Sequence, residues 1–164
     1  MILRIRTACR LFEAILVGAI FPTLAASALA TGANPAALGT AQRLVAALNA
    51  HDTGTIRATC AANATVIDDF PPYTWNGPDA CRRWFAALQQ SLAATATTKF
   101  TVTKATPVFS DATPSRAYIV LAMHLSMNVK RKAASQSGRW ALVMRKSGSA
   151  WQVTSAAWAQ NAGG

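Results

Sequence analysis

Residues 64–88, ATVIDDFPPYTWNGPDACRRWFAAL, decide the fold. Val66 and Ile67 are β-branched and favour extended backbone, so the stretch opens as a strand that ends in two acids, Asp68 and Asp69. Pro71 and Pro72 lack N–H groups and cannot continue a central paired strand, so the chain bends. Tyr73-Thr74-Trp75 then reads as a short aromatic strand. Asn76-Gly77-Pro78-Asp79 supplies a turn, with Pro78 suited to a first helical turn and Asp79 near the positive helix end. A helix is expected from about residue 78 to Ala94, burying Cys81, Trp84, Phe85 and Leu88 and exposing Arg82, Arg83, Gln89 and Gln90.

Upstream, Leu38, Ala41, Leu44, Val45 and Leu48 recur at helical spacing from about Pro35 to Ala50. His51-Asp52-Thr53-Gly54 breaks that helix, and Asp52 or Thr53 is placed to cap a second one running to about Ala62. Downstream come four long segments of β character: 99–109, 115–129, 138–146 and 150–160. The second is the clearest, with Ile119, Leu121, Met123, Leu125 and Met127 at odd positions and Tyr118, Val120, Ala122, His124, Ser126 and Asn128 at even ones. Neither face is charged, which predicts a central strand covered at least in part on both sides. Lys130-Arg131-Lys132 reads as a hairpin loop, and Lys146-Ser147-Gly148-Ser149 as a tight hairpin turn. The order helix, helix, strand, strand, helix, then four strands argues an α+β domain with an antiparallel sheet.

The chain has 164 residues, enough for one domain. Arg4, Arg6 and Arg10, the apolar run from Leu11 to Leu24, and Ala28-Leu29-Ala30 form the pattern of a secretory signal peptide over residues 1–30. The run falls short of the ~20 apolar residues a spanning helix needs, so no membrane attachment is expected after cleavage near Ala30. Residues 31–37 read as a flexible mature N-terminus and 38–164 as the domain. Cleavage lowers the formal charge from +10 to +8, because three Arg and one Glu leave. The remaining basic residues are scattered, with no nucleic-acid motif, so a solvated surface explains them and no nucleic-acid partner is expected. Export places the protein in the periplasm or outside the cell. It also makes Cys60 and Cys81 an even pair in an oxidising compartment: either a disulfide or two small buried hydrophobes. No Cys/His metal spacing occurs, and no cofactor is expected.

At this point the chain resembles the nuclear transport factor 2-like superfamily in its SnoaL-like, ketosteroid-isomerase-like branch. The resemblance rests on AQRLVAALNAHDTGTIRATCAANATVIDDFPPYTWNGPDACRRWFAAL, residues 41–88, and on GRWALVMRKSGSAWQVTSAAWA, residues 138–159. It implies a cone: a curved antiparallel sheet wrapped around three helices, with a pocket between them. Members include isomerases, dehydratases, epoxide hydrolases, cyclases and proteins without chemistry, so the fold does not fix the function. Dimers through the sheet are common in such relatives, and the uncharged strand 118–128 suits one.

Chemistry in such a pocket is acid/base work by a carboxylate beside a polarising Tyr, His or second acid. Asp68 and Asp69 are adjacent on a strand, so alternation admits only one to the pocket; if Val66 faces the core, that one is Asp68. The alternative is that both acids end the strand and bind turn amides or Arg82 or Arg83. His124 and Tyr73 are the candidate partners of Asp68. Trp75, Trp84, Val120, Ala122, Trp140 and Trp158 are candidate pocket residues, while Trp84 and Trp151 also suit plain core. A second buried acid on the sheet and an Asp-Arg-Asp set are both missing. The expectation is therefore a small-molecule pocket for an apolar or aromatic ligand. A lyase or isomerase using Asp68 as base is the alternative, and a non-catalytic dimerisation module the third.

Overall fold

The structure, a computed structural model, describes residues 32–161. The expected leader and its cleavage site lie outside the described residues.

Helix α1 spans Pro35–Ala50. Asn34 caps it by accepting from the N–H groups of Ala36 and Ala37, and Pro35 occupies the first turn, where no N–H is needed. Helix α2, Thr53–Thr59, starts at Asp52, whose carboxylate accepts from the Thr55 N–H at 3.0 Å. It is three residues shorter than its composition promises, because Cys60 already opens strand β1, Cys60–Ile67. Strand β2 is Thr74–Pro78 and helix α3 Ala80–Ala94. Four long strands follow: β3 Thr97–Ala112, β4 Arg116–Val129, β5 Lys132–Ser147 and β6 Ala150–Gln160.

The six strands form one sheet in the order β2-β1-β6-β5-β4-β3. The α+β cone expected from the sequence is present, with one correction: the sheet is mixed. β1 runs parallel to β6, whereas every other neighbouring pair is antiparallel. This pairing joins elements at opposite ends of the chain, which no local pattern encodes. Three register shifts in β3, and others between β1 and β6 and between β5 and β6, supply the extra residues that bend strands. The helices lie against the concave side. There Leu44 and Ile56 meet Ile119, Leu121, Leu142, Met144, Val66 and Val153, all essentially without solvent exposure. Each such side chain contributes about 1.5–3 kcal/mol by leaving water.

Polar and covalent ties fix the helices on the sheet. The Asn49 side chain, at the end of α1, donates to the Val102 carbonyl at 2.9 Å and accepts from its N–H at 2.8 Å. This satisfies β3 beside one of its bulges. Cys60 and Cys81 are disulfide-bonded with Cα atoms 6.4 Å apart. The bridge joins the α2–β1 junction to the first turn of α3. It does not pin two helix faces together, since Cys60 is the first residue of a strand. Asp79 precedes α3 in a left-handed conformation, φ 55°, and pairs with Arg57 and Arg82 instead of capping the helix.

Candidate functional site

Alternation along β1 places Ala64 and Val66 inward, and the same sense carries Asp68 inward just past the strand end. Its Oδ2 accepts from the Trp84 indole N–H on α3 at 2.6 Å, and its Oδ1 from the Asp69 backbone N–H at 2.8 Å. The Asp68 N–H donates to the Tyr73 carbonyl at 3.1 Å and the Tyr73 N–H to the Phe70 carbonyl at 2.8 Å, closing the corner that holds the cis Pro71–Pro72 bond.

The carboxyl group borders a cavity of about 200 Å³ between α3 and the inner face of β3–β6. Helix α3 contributes Trp84, Leu88, Ser91 and Leu92, all on one stripe at i, i+4, i+7 and i+8. The sheet contributes Phe100, Met123, Leu125, Gln136, Trp140 and Trp158. Trp84 and Trp140 meet with ring centroids 5.9 Å apart and planes tilted by 34°. Gly138 gives Trp158 its place, because a Cβ there would fall 2.4 Å from the indole.

Burial pushes the Asp68 carboxyl up from the ordinary 3.8 to about 6. The hydrogen bonds from the Trp84 indole and the Asp69 backbone N–H oppose that rise, and the neighbouring Asp69 carboxylate adds to it. A group in this range is largely ionised at neutral pH yet basic enough to accept a proton. Asp69 also borders the cavity, at its exposed rim, where Gln136 donates to it at 3.4 Å. Two adjacent strand residues would point apart, but β1 ends at Ile67 and the alternation ends with it. Arg82 and Arg83 do not bind these acids; Arg82 pairs with Asp79, and Arg83 donates to the Asn76 carbonyl.

Several expected residues lie elsewhere. His124 is exposed on the convex face and its Nδ1 lies 2.8 Å from Ser137 Oγ, because Met123 and Leu125 take the inward positions of β4. Val120 and Ala122 share that outer face, and Ala122 borders a shallow outer depression with His124, Lys104 and Arg139. The proposed pairing of Asp68 with His124 across one pocket is therefore corrected: the sheet separates them. Tyr73 is 56% exposed, and its left-handed backbone, φ 69°, breaks the alternation that would have set it beside Trp75. Trp75 is buried against Phe70 at 5.1 Å and packs as core, outside the cavity lining. Trp84, Trp140 and Trp158 do line it, and Trp151 is buried core. Leu88, Ser91, Phe100, Met123 and Gln136 were missed as lining residues; only the α3 stripe was open to periodicity. Among the described residues no three His, Cys, Asp or Glu side chains converge as a metal site would require.

A helix-backed, curved sheet with a half-buried carboxylate at an aromatic cavity defines a cone-fold pocket domain. The SnoaL-like domain matches residues 41–155, and the chain belongs to that family. Solved structures agree on the fold. A putative ketosteroid isomerase from Shewanella frigidimarina is 20% identical, with a TM-score of 0.60 over 78% of this chain and 98% of its own. A protein of unknown function from Mycobacterium tuberculosis is 13% identical, with a TM-score of 0.61 over 76% and 69%. A Nostoc punctiforme protein with a cystatin-like fold is 15% identical, with a TM-score of 0.57 over 79% and 91%. No curated protein matches the sequence.

Proposed function

We propose that this protein is an exported pocket domain that binds one small molecule with an apolar body, anchored by Asp68. The observation that carries the reading is a cavity of about 200 Å³ whose walls are mainly aromatic and aliphatic and whose charged lining groups are the half-buried Asp68 and, at the rim, Asp69. Few convergent polar groups in an apolar concavity is the usual composition of a ligand site. The Cys60–Cys81 bridge supports export, since such bonds persist in oxidising compartments. Native mass spectrometry of the full chain after incubation with a metabolite mixture tests the reading. One retained small molecule is expected, and its loss in a Leu88→Trp variant that fills the cavity. Retention by that variant overturns it.

One observation favours a second reading, proton transfer of the lyase or isomerase kind. A carboxyl group raised to about 6 suits a general base, and Asp68 would fill that role. Tyr73 and His124 do not serve as its polarisers, and binding without turnover is the simpler use of an acid with no polarising Tyr or His beside it. For the assembly we propose a homodimer through the convex sheet face, where Val108, Phe109, Tyr118 and Val143 are exposed together. Sedimentation of wild type against Tyr118→Lys decides it.

A further inference from the structure

We propose that the ligand of this cavity is an organic cation, of the amine or quaternary ammonium class, seated among Trp84, Trp140 and Trp158 with its charge toward Asp68 and Asp69. The inference rests on the pocket reading above and names the chemistry that pocket selects.

Charge is unevenly distributed in this chain. The chain carries 16 Lys and Arg against 6 Asp and Glu. Two of those six acids border this one cavity, and none of the described Lys, Arg or His side chains does. A basic protein has thus kept its inner chamber acidic. The second observation is the walls: five aromatic rings, Phe70, Trp84, Phe100, Trp140 and Trp158. Ring faces carry the negative lobe of a quadrupole and attract a cation within about 6 Å, Trp most strongly. Carboxylates behind aromatic walls answer both needs of an organic cation, a counter-charge and a polarisable apolar surface. A neutral hydrocarbon uses neither acid, and an anion meets two repelling charges.

The carboxylate also has capacity to spare. Each Asp68 oxygen accepts one protein hydrogen bond, from Trp84 or from the Asp69 N–H, and retains a further lone pair for a ligand N–H or for a diffuse ammonium charge. In the free protein its negative charge is held partly out of water, without a basic side chain beside it in the cavity. A bound cation supplies the missing partner. Met123 and Met127 add soft, adaptable thioethers to the wall. Size agrees as well. An apolar cavity of about 150 Å³ holds one benzene, so about 200 Å³ takes a trimethylammonium head with a short arm.

The test compares choline with its neutral carbon isostere, 3,3-dimethylbutan-1-ol, on the full oxidised chain, following the indole N–H signals of Trp84, Trp140 and Trp158. Choline is expected to bind at least about tenfold more tightly than the isostere. Asp68→Asn, which keeps an acceptor for the Trp84 N–H, should bring the two within about twofold. Equal binding of the isostere to wild type overturns the cation inference and leaves the pocket reading standing. Silence of all three indoles with choline overturns the inference, while the pocket reading stands or falls separately by the native mass spectrometry of wild type against Leu88→Trp. Should Asp68→Asn fail to fold, the wild-type preference for choline is read at about pH 5 and about pH 7.5, on either side of the Asp68 midpoint near 6. Asp68 and Asp69 are the titratable groups facing the cavity, so the preference should shrink at the lower pH. An unchanged ratio overturns the inference.

Discussion

Replacing Asp68 by Asn should stabilise this protein at neutral pH and leave it little changed in acid. The native carboxyl titrates at about 6 and the unfolded one at 3.8, so between those values the native state holds a proton that the unfolded state has lost. Stability therefore falls as pH rises through that window, the reverse of a salt-bridged acid. The gap is about two pH units at ~1.4 kcal/mol each, or about 3 kcal/mol in total, flat above about pH 6.5. Asn removes the titration while its amide oxygen still accepts the Trp84 N–H. Urea unfolding of both proteins from pH 4 to 8, followed by tryptophan fluorescence with the disulfide intact, isolates the effect of the Asp68 carboxyl and of its repulsion with Asp69, because titrating groups that do not interact with Asp68 cancel in the difference. The variant should gain on wild type by about 3 kcal/mol between about pH 4 and 6.5. A difference that stays level, or that grows in favour of wild type with rising pH, refutes the assignment of Asp68 as a desolvated acid. Stability withheld at neutral pH is the ordinary mark of a group kept for binding.

Cys60→Ala with Cys81→Ala opens a bridge between residues 21 apart and should cost about 3 kcal/mol by chain entropy, read from the urea midpoint; unchanged stability contradicts the bridge. Gly138→Ala drives a Cβ into the Trp158 indole at 2.4 Å and should cost about 1–3 kcal/mol, with a change in Trp158 fluorescence that a remote alanine would not cause. His124→Ala should leave ligand binding in the cavity unaltered, since the side chain sits on the other side of the sheet, and reduced affinity would contradict that placement.

The helices and most strands were legible because their causes are local. Pro35–Ala50 and Ala150–Gln160 appear with the bounds their periodicity gives, and the odd residues of β4 are the buried ones. β5 begins at Lys132, six residues earlier than expected, because Ala133–Ser137 are small or polar and pair with β4 without an apolar alternation of their own. Asp68 was legible as the inward acid only on the condition that Val66 faces the core, with strand termination as the other reading; Val66 is buried. The supposed partner of Asp68 was not legible, because both faces of β4 are uncharged and alternation does not say which is concave. Bulk was the unused signal: Leu121, Met123 and Leu125 outsize Val120, Ala122 and His124, and the larger set fills the interior. Tyr73 and Asp69 escaped for another reason, since both lie in the corner where the strand rule lapses. The parallel β1–β6 pair is set by tertiary contact alone.

The most direct measurement is the pH titration of the Trp84 indole N–H resonance, whose donor sits 2.6 Å from Asp68 Oδ2. One inflection at about 6 is expected, abolished in Asp68→Asn. A resonance that does not move between about pH 5 and 7, or moves identically in the variant, contradicts a raised carboxylate at the wall of this chamber.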